Sequence, residues 1–331
     1  MAWLGAVQAQ DYLGALWAVG LRMKNTTEAD VERALADRTI VRTWPMRGTL
    51  HFVAAADVRW MLELMTPRVV AASARRLQQE LDLNDTVFAH SRDVLVKALR
   101  GGRQRSRTAM YEALEAAGIP ATGQRGLHIL WRLAQDGVLC FGAREGKQQT
   151  FVLLDEWVPN ARRLDRDEAL AELARRYFTS HGPATVQDFT WWSGLAPAAA
   201  TAALDLAKPG LVREDIEGRA YWLSASMPTA KAASSAAYLL PAYDEYTVSY
   251  KDRSAVLDPL HAKRPDSGNG IFNPTMVLDG RVVGTWKRTL KKESVVVVLR
   301  PFSRLKKTEK NAFQEAGCRY GAFLGRPAVL D

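Results

Sequence analysis

Apolar residues follow helical spacing in some segments of the chain and form short runs in others, and the two patterns recur in a fixed order. In the middle of the chain, apolar positions three and four residues apart predict a helix over 86–99, one starting at Ser106 and one over 126–136. Two apolar runs, 138–141 and 149–153, predict strands on either side of a charged turn. Helices followed by a two-stranded hairpin are typical of a winged helix.

The same order recurs before and after this segment, so the pattern occurs three times. One match would be weak evidence, because helix–helix–hairpin arrangements are common, but three independent repeats favour tandem winged-helix units. Thr185 and Asp188 have the spacing of a capping box. The first repeat has a helix from Thr27 through Leu35 and strands over 39–44 and 48–53. The third repeat has helices over 167–181, 185–194 and 198–207 and strands over 211–214 and 219–223.

Beyond residue 226, strand-like runs dominate. Residues 227–237 are predicted to form a connector and residues 254–272 a loop. The dipeptide Asp279-Gly280 strongly indicates a two-residue hairpin turn. We therefore predict an α+β fold, with three tandem winged-helix units followed by a β-rich C-terminal domain, forming a cleft or a C-shaped molecule. Strands are predicted over 238–240, 275–278, 281–286 and 295–299, and a final helix over 309–323.

These changes of pattern predict four domains. They are a first winged helix over 1–66, a second with a connecting helix over 67–158, a third over 159–226, and a β-rich basic domain over 227–331. The first unit is short at its N-terminal side.

Composition and charge narrow the class of protein. With 47% hydrophobic and 24% charged residues, the chain is globular rather than disordered or fibrous. The net charge is +9, and residues 251–310 hold 14 Lys and Arg against 6 Asp and Glu. A segregated excess of this size favours a polyanionic partner over a merely solvated surface. No apolar run is long enough to cross a bilayer, so we expect a soluble cytoplasmic protein without membrane contact.

The common catalytic and metal-binding motifs do not occur in this sequence. Cys140 and Cys318 cannot form a disulfide framework or a four-cysteine metal site, and Cys140 is expected to be buried and inert. The five histidines are scattered singly. We therefore expect no metal and no cofactor.

Several longer stretches are more specific. Near the start lie 5–12, which contains Gln8-Ala9-Gln10, and 42–52, which contains Arg47 and His51; later stretches are 188–194, 240–246, 251–253 and 273–288. In this order, over nearly the whole chain, they resemble the AlkZ/YcaQ-like DNA glycosylases, which are tandem winged-helix proteins.

The resemblance implies a DNA repair enzyme, a monofunctional alkylpurine glycosylase that hydrolyses N-glycosyl bonds. Gln8 and Gln10 match the catalytic Gln-x-Gln motif of the AlkZ-like branch rather than the Gln-x-Asp motif. The implied partner is double-stranded DNA containing purines alkylated at N7 or N3, and for some members bulky adducts or interstrand crosslinks. We expect a monomer associated with the nucleoid. Family members usually carry another helix before the motif. Only seven residues precede Gln8 here, so we expect either an upstream start or a shortened first unit.

The two amide side chains of the motif limit the chemistry that it can perform. An amide is a poor general base, but its oxygen can hold a water or stabilise a developing oxocarbenium ion. A cationic purine leaves as a neutral base without acid help. If Gln8 and Gln10 act together, their backbone should be extended or at a helix junction, with Asp11 as N-cap. Alternatively, the glutamines only satisfy backbone groups, and Asp11, Asp244 or Glu245 positions the water.

Basic residues predict the DNA contacts. Arg47 at a wing tip and Lys287 and Arg288 beyond the Asp279-Gly280 hairpin are expected to neutralise phosphates, supported by Lys251 and Arg253. Which hairpin enters a groove is left open. Trp191 and Trp192 are expected in the core. The alternative function is a non-enzymatic winged-helix DNA-binding protein or transcriptional regulator, although a dimerising segment is not apparent.

Overall fold

The computed structural model of the protein describes residues 1–227, 236–261 and 272–331. The chain folds into two compact units, each assembled from separate segments. Unit 1 comprises Met1–Ala6, Arg33–Ser180 and Ser193–Gly210, and unit 2 comprises Val7–Glu32, His181–Trp192 and Leu211–Asp331. The four-domain division drawn from the sequence stays a prediction. The predicted connector over 227–237 and loop over 254–272 lie partly outside the described residues.

Helices form where apolar spacing and capping residues predict them. The hydroxyl of Ser106 accepts a hydrogen bond from the backbone N–H of Ala109. The N–H of Thr185 donates to the Asp188 carboxylate and the N–H of Asp188 donates to the Thr185 hydroxyl, which is the predicted capping box. The α-helices of the described ranges are α1 Tyr12–Gly20, α2 Glu28–Ala36, α3 Val58–Leu81, α4 Asp85–Leu99, α5 Arg107–Ala116, α6 Gly123–Gln135, α7 Leu154–Trp157, α8 Arg166–Ser180, α9 Val186–Ser193, α10 Pro197–Ala207, α11 Glu245–Val248 and α12 Lys307–Phe323.

Strands follow the apolar runs, with shifts of a few residues at their ends. The hairpin predicted around residues 45–47 is tighter than expected, since the first strand continues to Met46. The strands in the described parts are β1 Ala6–Gln8, β2 Ile40–Met46, β3 Thr49–Ala54, β4 Arg105–Ser106, β5 Leu139–Phe141, β6 Thr150–Leu153, β7 Leu211–Ile216, β8 Arg219–Ser224, β9 Ala237–Leu240, β10 Thr275–Leu278, β11 Arg281–Leu290, β12 Val295–Pro301 and β13 Ala328–Leu330.

Unit 1 is built on an antiparallel sheet with the order β3-β2-β5-β6-β4. Two hairpins predicted for different winged helices share this sheet, because β2 pairs with β5 at Arg42 and Phe141. A common core lies beneath them, in which Trp44 and Phe141 pack with ring centroids 5.1 Å apart. This long-range pairing has no local signal in the sequence.

Unit 2 contains the C-terminal sheet, with the order β9-β10-β11-β12-β13, curled into a β half-barrel. The predicted turn between β10 and β11 is confirmed: Asp279 and Gly280 have φ values of 49° and 80°, as a type I′ hairpin turn requires. Helix α12 packs against β9 and β13, and its Tyr320 ring lies between Trp17 and Trp286, with centroids 5.1 and 5.3 Å away. The α+β class is confirmed.

None of the helices within the described ranges is both long and apolar enough to cross a membrane.

Candidate active site

The predicted glutamine motif lies in unit 2, where a strand passes into a helix. Gln8 is the last residue of β1, and Asp11 is the N-cap of α1, whose carboxylate accepts the N–H of Gly14 at 3.2 Å. The predicted extended segment and helix cap are therefore confirmed. A Cβ on Gly14 would lie 2.5 Å from the Asp11 carboxylate and 3.3 Å from Pro241. Glycine at this position thus permits both the cap and the close packing of the segment around Pro241.

The two glutamine side chains contact each other directly. The amide nitrogen of Gln8 donates a hydrogen bond to the side-chain oxygen of Gln10. Gln8 is buried, with 8% of its surface exposed, whereas Gln10 is exposed. Because the buried amide holds the exposed one, the Gln10 side chain is oriented at the surface of the unit.

A buried carboxylate anchors the strand that carries Gln8. One oxygen of Glu245 accepts the backbone N–H of Gln8 at 3.0 Å. The other accepts the indole N–H of Trp192 at 2.9 Å and the hydroxyl of Ser249 at 2.6 Å, and it lies 3.6 Å from the imidazole of His181. Hydrogen bonds to a charged acceptor are stronger than neutral ones, so Glu245 fixes the end of β1.

Asp244 holds a different part of the same unit. It is fully buried and binds Arg22 through both oxygens, at 2.7 and 2.9 Å, while also capping α11 through the N–H of Tyr246. Burial by itself lowers the pKa of the Arg22 guanidinium, but the Asp244 carboxylate more than offsets this and raises it. Of the three carboxylates considered as water-positioning groups, Asp244 and Glu245 are buried in structural contacts, and Asp11 is partly exposed.

Arg288 lies beside the motif. Its guanidinium donates to both oxygens of Asp11 at 3.1 Å, and it also interacts with Tyr320, whose pKa is raised by burial. The Arg288 side chain is only 17% exposed. The structure therefore places this predicted phosphate contact in an ion pair at the start of α1.

The other predicted DNA contacts differ in their surroundings. Lys251 and Lys287 are exposed, whereas Arg253 is half-buried and donates to the backbone oxygen of Thr247 at 2.6 Å. Arg47 belongs to unit 1. It occupies a left-handed turn (φ 53°) as predicted for a hairpin tip, but it is half-buried, and its guanidinium lies 3.3 Å from His51.

Sequence reasoning missed the supporting residues of this site. Arg22, His181 and Ser249 have no local pattern that marks them. Trp192 is buried as expected, but the expectation for Trp191 is wrong, because 45% of its surface is exposed. Helix α9 is a surface helix here, so adjacent residues on it face opposite environments.

Metal-binding clusters and the two cysteines were the remaining features to place in the described residues. No group of three or more His, Cys, Asp or Glu side chains in these ranges is arranged to hold a metal ion. Cys140 is buried as predicted, and burial raises the pKa of its thiol far above its usual value, which disfavours the reactive thiolate.

Known proteins resemble this chain over most of its length. The family model described as DNA glycosylase AlkZ-like matches residues 1–323. An interstrand DNA cross-link repair glycosylase of Streptomyces sahachiroi is 31% identical over 340 residues, covering 93% of this chain and 87% of that protein. The structure of S. sahachiroi DNA glycosylase AlkZ matches with a TM-score of 0.77 and 24% identity, covering 100% of this chain and 92% of that one. This chain therefore belongs to the AlkZ-like DNA glycosylase family, whose members are hydrolases of N-glycosyl bonds.

Proposed function

We propose that this protein is a monofunctional DNA glycosylase that removes purines carrying a positive charge from alkylation at N7 or N3. The observation that carries the proposal is the contact between Gln8 and Gln10 at the end of β1, in which a buried amide orients an exposed one. Its membership of the AlkZ-like family supports the same reaction.

The proposed reaction is a hydrolysis in which the substrate supplies most of the driving force. The bond between C1′ and the purine nitrogen breaks, and its electron pair neutralises the cationic ring. A water oxygen bonds to C1′ and releases its proton to solvent, leaving an abasic site. The side-chain oxygen of Gln10 can accept a hydrogen bond from that water and place its dipole beside the developing oxocarbenium ion. Gln8 keeps Gln10 in place.

This chemistry predicts which substrates react. Amides supply no acid, so a neutral base, which needs a proton to leave, should not be released. The related S. sahachiroi protein is named for interstrand cross-link repair. We propose that bulky adducts and crosslinked purines are also accepted, because Gln10 of the motif is exposed. The protein would act as a monomer on chromosomal DNA in the cytoplasm.

We further propose that the three helix-and-hairpin repeats act as winged helices on duplex DNA. Two of these repeats have tight hairpins, at Arg47-Gly48 and Glu217-Gly218, with positive φ at both central residues, and the Asp279-Gly280 turn of the C-terminal sheet has the same geometry. Tight hairpins of this kind suit insertion into a groove, and exposed lysines such as Lys287 add phosphate contacts.

Release of 7-methylguanine from methylated DNA tests the proposed function. With enzyme in excess, we expect Gln10→Ala to slow release by about 100-fold, the usual effect of losing one preorganised polar group. Gln79→Ala, which changes an exposed glutamine on α3, should release base at the wild-type rate.

No release by the wild type, together with tight binding to undamaged duplex, would favour the regulator instead. Equal release by wild type and Gln10→Ala would exclude Gln10 from the reaction. Release that also survives Gln8→Ala but not Asp11→Asn would assign the water to the carboxylate.

Lys287 and Arg288 are neighbours in sequence, and we expect different effects from them. Lys287→Ala should weaken binding to any duplex and lower the slope of log Kd against log salt by about one, with an unchanged rate at saturating enzyme. Arg288→Ala breaks the pair with Asp11, so the saturated rate should fall. Salt-dependent binding titrations and single-turnover rates separate the two; identical behaviour of both variants would contradict this assignment.

A further inference from the structure

Three aromatic rings and one guanidinium group form a continuous strip on unit 2. It consists of Trp191, Arg253, Phe272 and Tyr243, and we call it the aromatic strip. The guanidinium carbon of Arg253 lies 5.9 Å from the Trp191 ring centroid and 4.6 Å from that of Phe272. The Phe272 and Tyr243 rings meet with centroids 6.2 Å apart at an angle of 66°. Trp191 is 45% exposed and the other three are half-buried, so the strip presents ring surface to solvent.

Hydrogen bonds hold the strip in place. The indole N–H of Trp191 donates to the backbone oxygen of Val248 at 3.0 Å, and Arg253 donates to that of Thr247 at 2.6 Å. The buried carboxylate of Asp188 accepts the backbone N–H of Lys251 at 2.9 Å, just before Arg253. A surface with fixed rings loses little conformational freedom when a planar ligand stacks on it.

The segment around Tyr243, at one end of the strip, contacts the segment that carries the glutamine motif. Tyr243 has φ 59°, an unusual backbone conformation for a side chain of this size, and it lies two residues before Glu245, which binds the N–H of Gln8. Pro241, two residues earlier, packs at Gly14 in the first turn of α1. Burial raises the pKa of the Tyr243 hydroxyl, and the negative charge of nearby Asp11 raises it further.

We infer that the aromatic strip stacks a neutral planar ring of the damaged duplex beside Gln8 and Gln10. This inference rests on the proposed function. Aromatic side chains and a stacked guanidinium are the usual platform for an unpaired base. The charge of Arg253 disfavours the cationic purine itself, so the ring is a neutral one. It belongs either to the base opposite the lesion or to an aryl group on the adduct, and both share the same stacking chemistry.

Two substrates distinguish these sources. We expect Tyr243→Ala and Trp191→Ala to slow single-turnover release by about 10-fold, within the range of one lost stacking contact. If the opposite base stacks, both variants release 7-methylguanine and 7-benzylguanine more slowly by the same factor. This slowing disappears when the opposite position has no base. If the aryl group stacks, only release of 7-benzylguanine is slowed.

The controls separate stacking from folding. Tyr243→Phe keeps the ring and should keep the rate. Tyr238→Ala removes another exposed ring of unit 2, 5.8 Å from the guanidinium carbon of Arg319, and should also behave as wild type. Wild-type rates for Tyr243→Ala and Trp191→Ala on both substrates, or an equal loss in Tyr238→Ala, would overturn the inference.

A binding measurement keeps this test independent of catalysis. Kd is measured for a duplex with an abasic-site analogue opposite 2-aminopurine, whose fluorescence is quenched by stacking. Loss of this quenching in Tyr243→Ala, with quenching kept in Tyr238→Ala, supports the strip even if the wild type releases no base. Quenching that is unchanged in Tyr243→Ala and Trp191→Ala, without a rate effect on 7-benzylguanine, overturns it.

Discussion

Replacing Glu245 by glutamine is expected to slow base release by about 10- to 100-fold at saturating enzyme, the equivalent of one hydrogen bond to a charged group. Glu245 accepts from the backbone N–H of Gln8 with one oxygen and from Trp192 and Ser249 with the other. A glutamine has only one acceptor oxygen, so its NH₂ group must face a donor on one side. The end of β1 then loses its anchor, and the Gln8 and Gln10 amides lose their fixed position. DNA affinity should stay unchanged, since Glu245 is buried.

Asp244→Asn is the matched control. Asp244 is the adjacent buried carboxylate, but it binds Arg22 rather than β1. This variant should lower the stability of unit 2 and leave the rate of the folded enzyme unaltered. We measure single-turnover rates, Kd and thermal unfolding of both variants, which together show whether Glu245 anchors β1 for the reaction or only stabilises the fold. A full rate in Glu245→Gln, or an equal rate loss in folded Asp244→Asn, would contradict the anchoring role.

In unit 1, Asp57→Ala is expected to lower the free energy of unfolding by about 3 kcal/mol, the lower end of the range for breaking a buried ion pair, because Arg176 keeps its second partner, Glu172. Asp57 and Arg176 are 2% and 7% exposed, and the guanidinium of Arg176 donates to both Asp57 oxygens, at 2.5 and 3.1 Å. Trp60 donates to the same carboxylate at 3.0 Å. Burial by itself lowers the pKa of Arg176, but hydrogen bonds and charge from Asp57 raise it above its usual value, so the arginine stays charged in the fold.

Urea titration followed by tryptophan fluorescence measures this effect. Glu63→Ala breaks an exposed pair of the same unit, in which Arg163 and Glu63 are 70% and 45% exposed. That change should cost at most about 1 kcal/mol. If Asp57→Ala shifts the unfolding midpoint no more than Glu63→Ala does, the buried pair is not a main source of the stability of unit 1.

Local sequence signals predicted the elements around the site well. The Ser106 cap, the Thr185–Asp188 capping box and the Asp279-Gly280 turn depend on residues within four positions of each other, and all three occur as predicted. The apolar spacing of α9 was less informative. It correctly predicts that Trp192 is buried, but it does not reveal that Trp191 is exposed. A short helix pattern shows which residues share a face, but not what covers the other face.

For the candidate site, the sequence by itself indicated an extended segment or a helix junction at Gln8 and Gln10 and a helix cap at Asp11, and the cap needs only residues within three positions of each other. Only the tertiary structure decided the partners of these residues. Glu245 binds the N–H of Gln8 across 237 positions, and Arg288 pairs with Asp11 across 277. Such contacts depend on how distant segments of unit 2 pack, and neither spacing nor composition along the chain specifies that packing. The sequence therefore predicts a phosphate contact at Arg288, while the fold places this residue in an ion pair with Asp11, next to the glutamine motif.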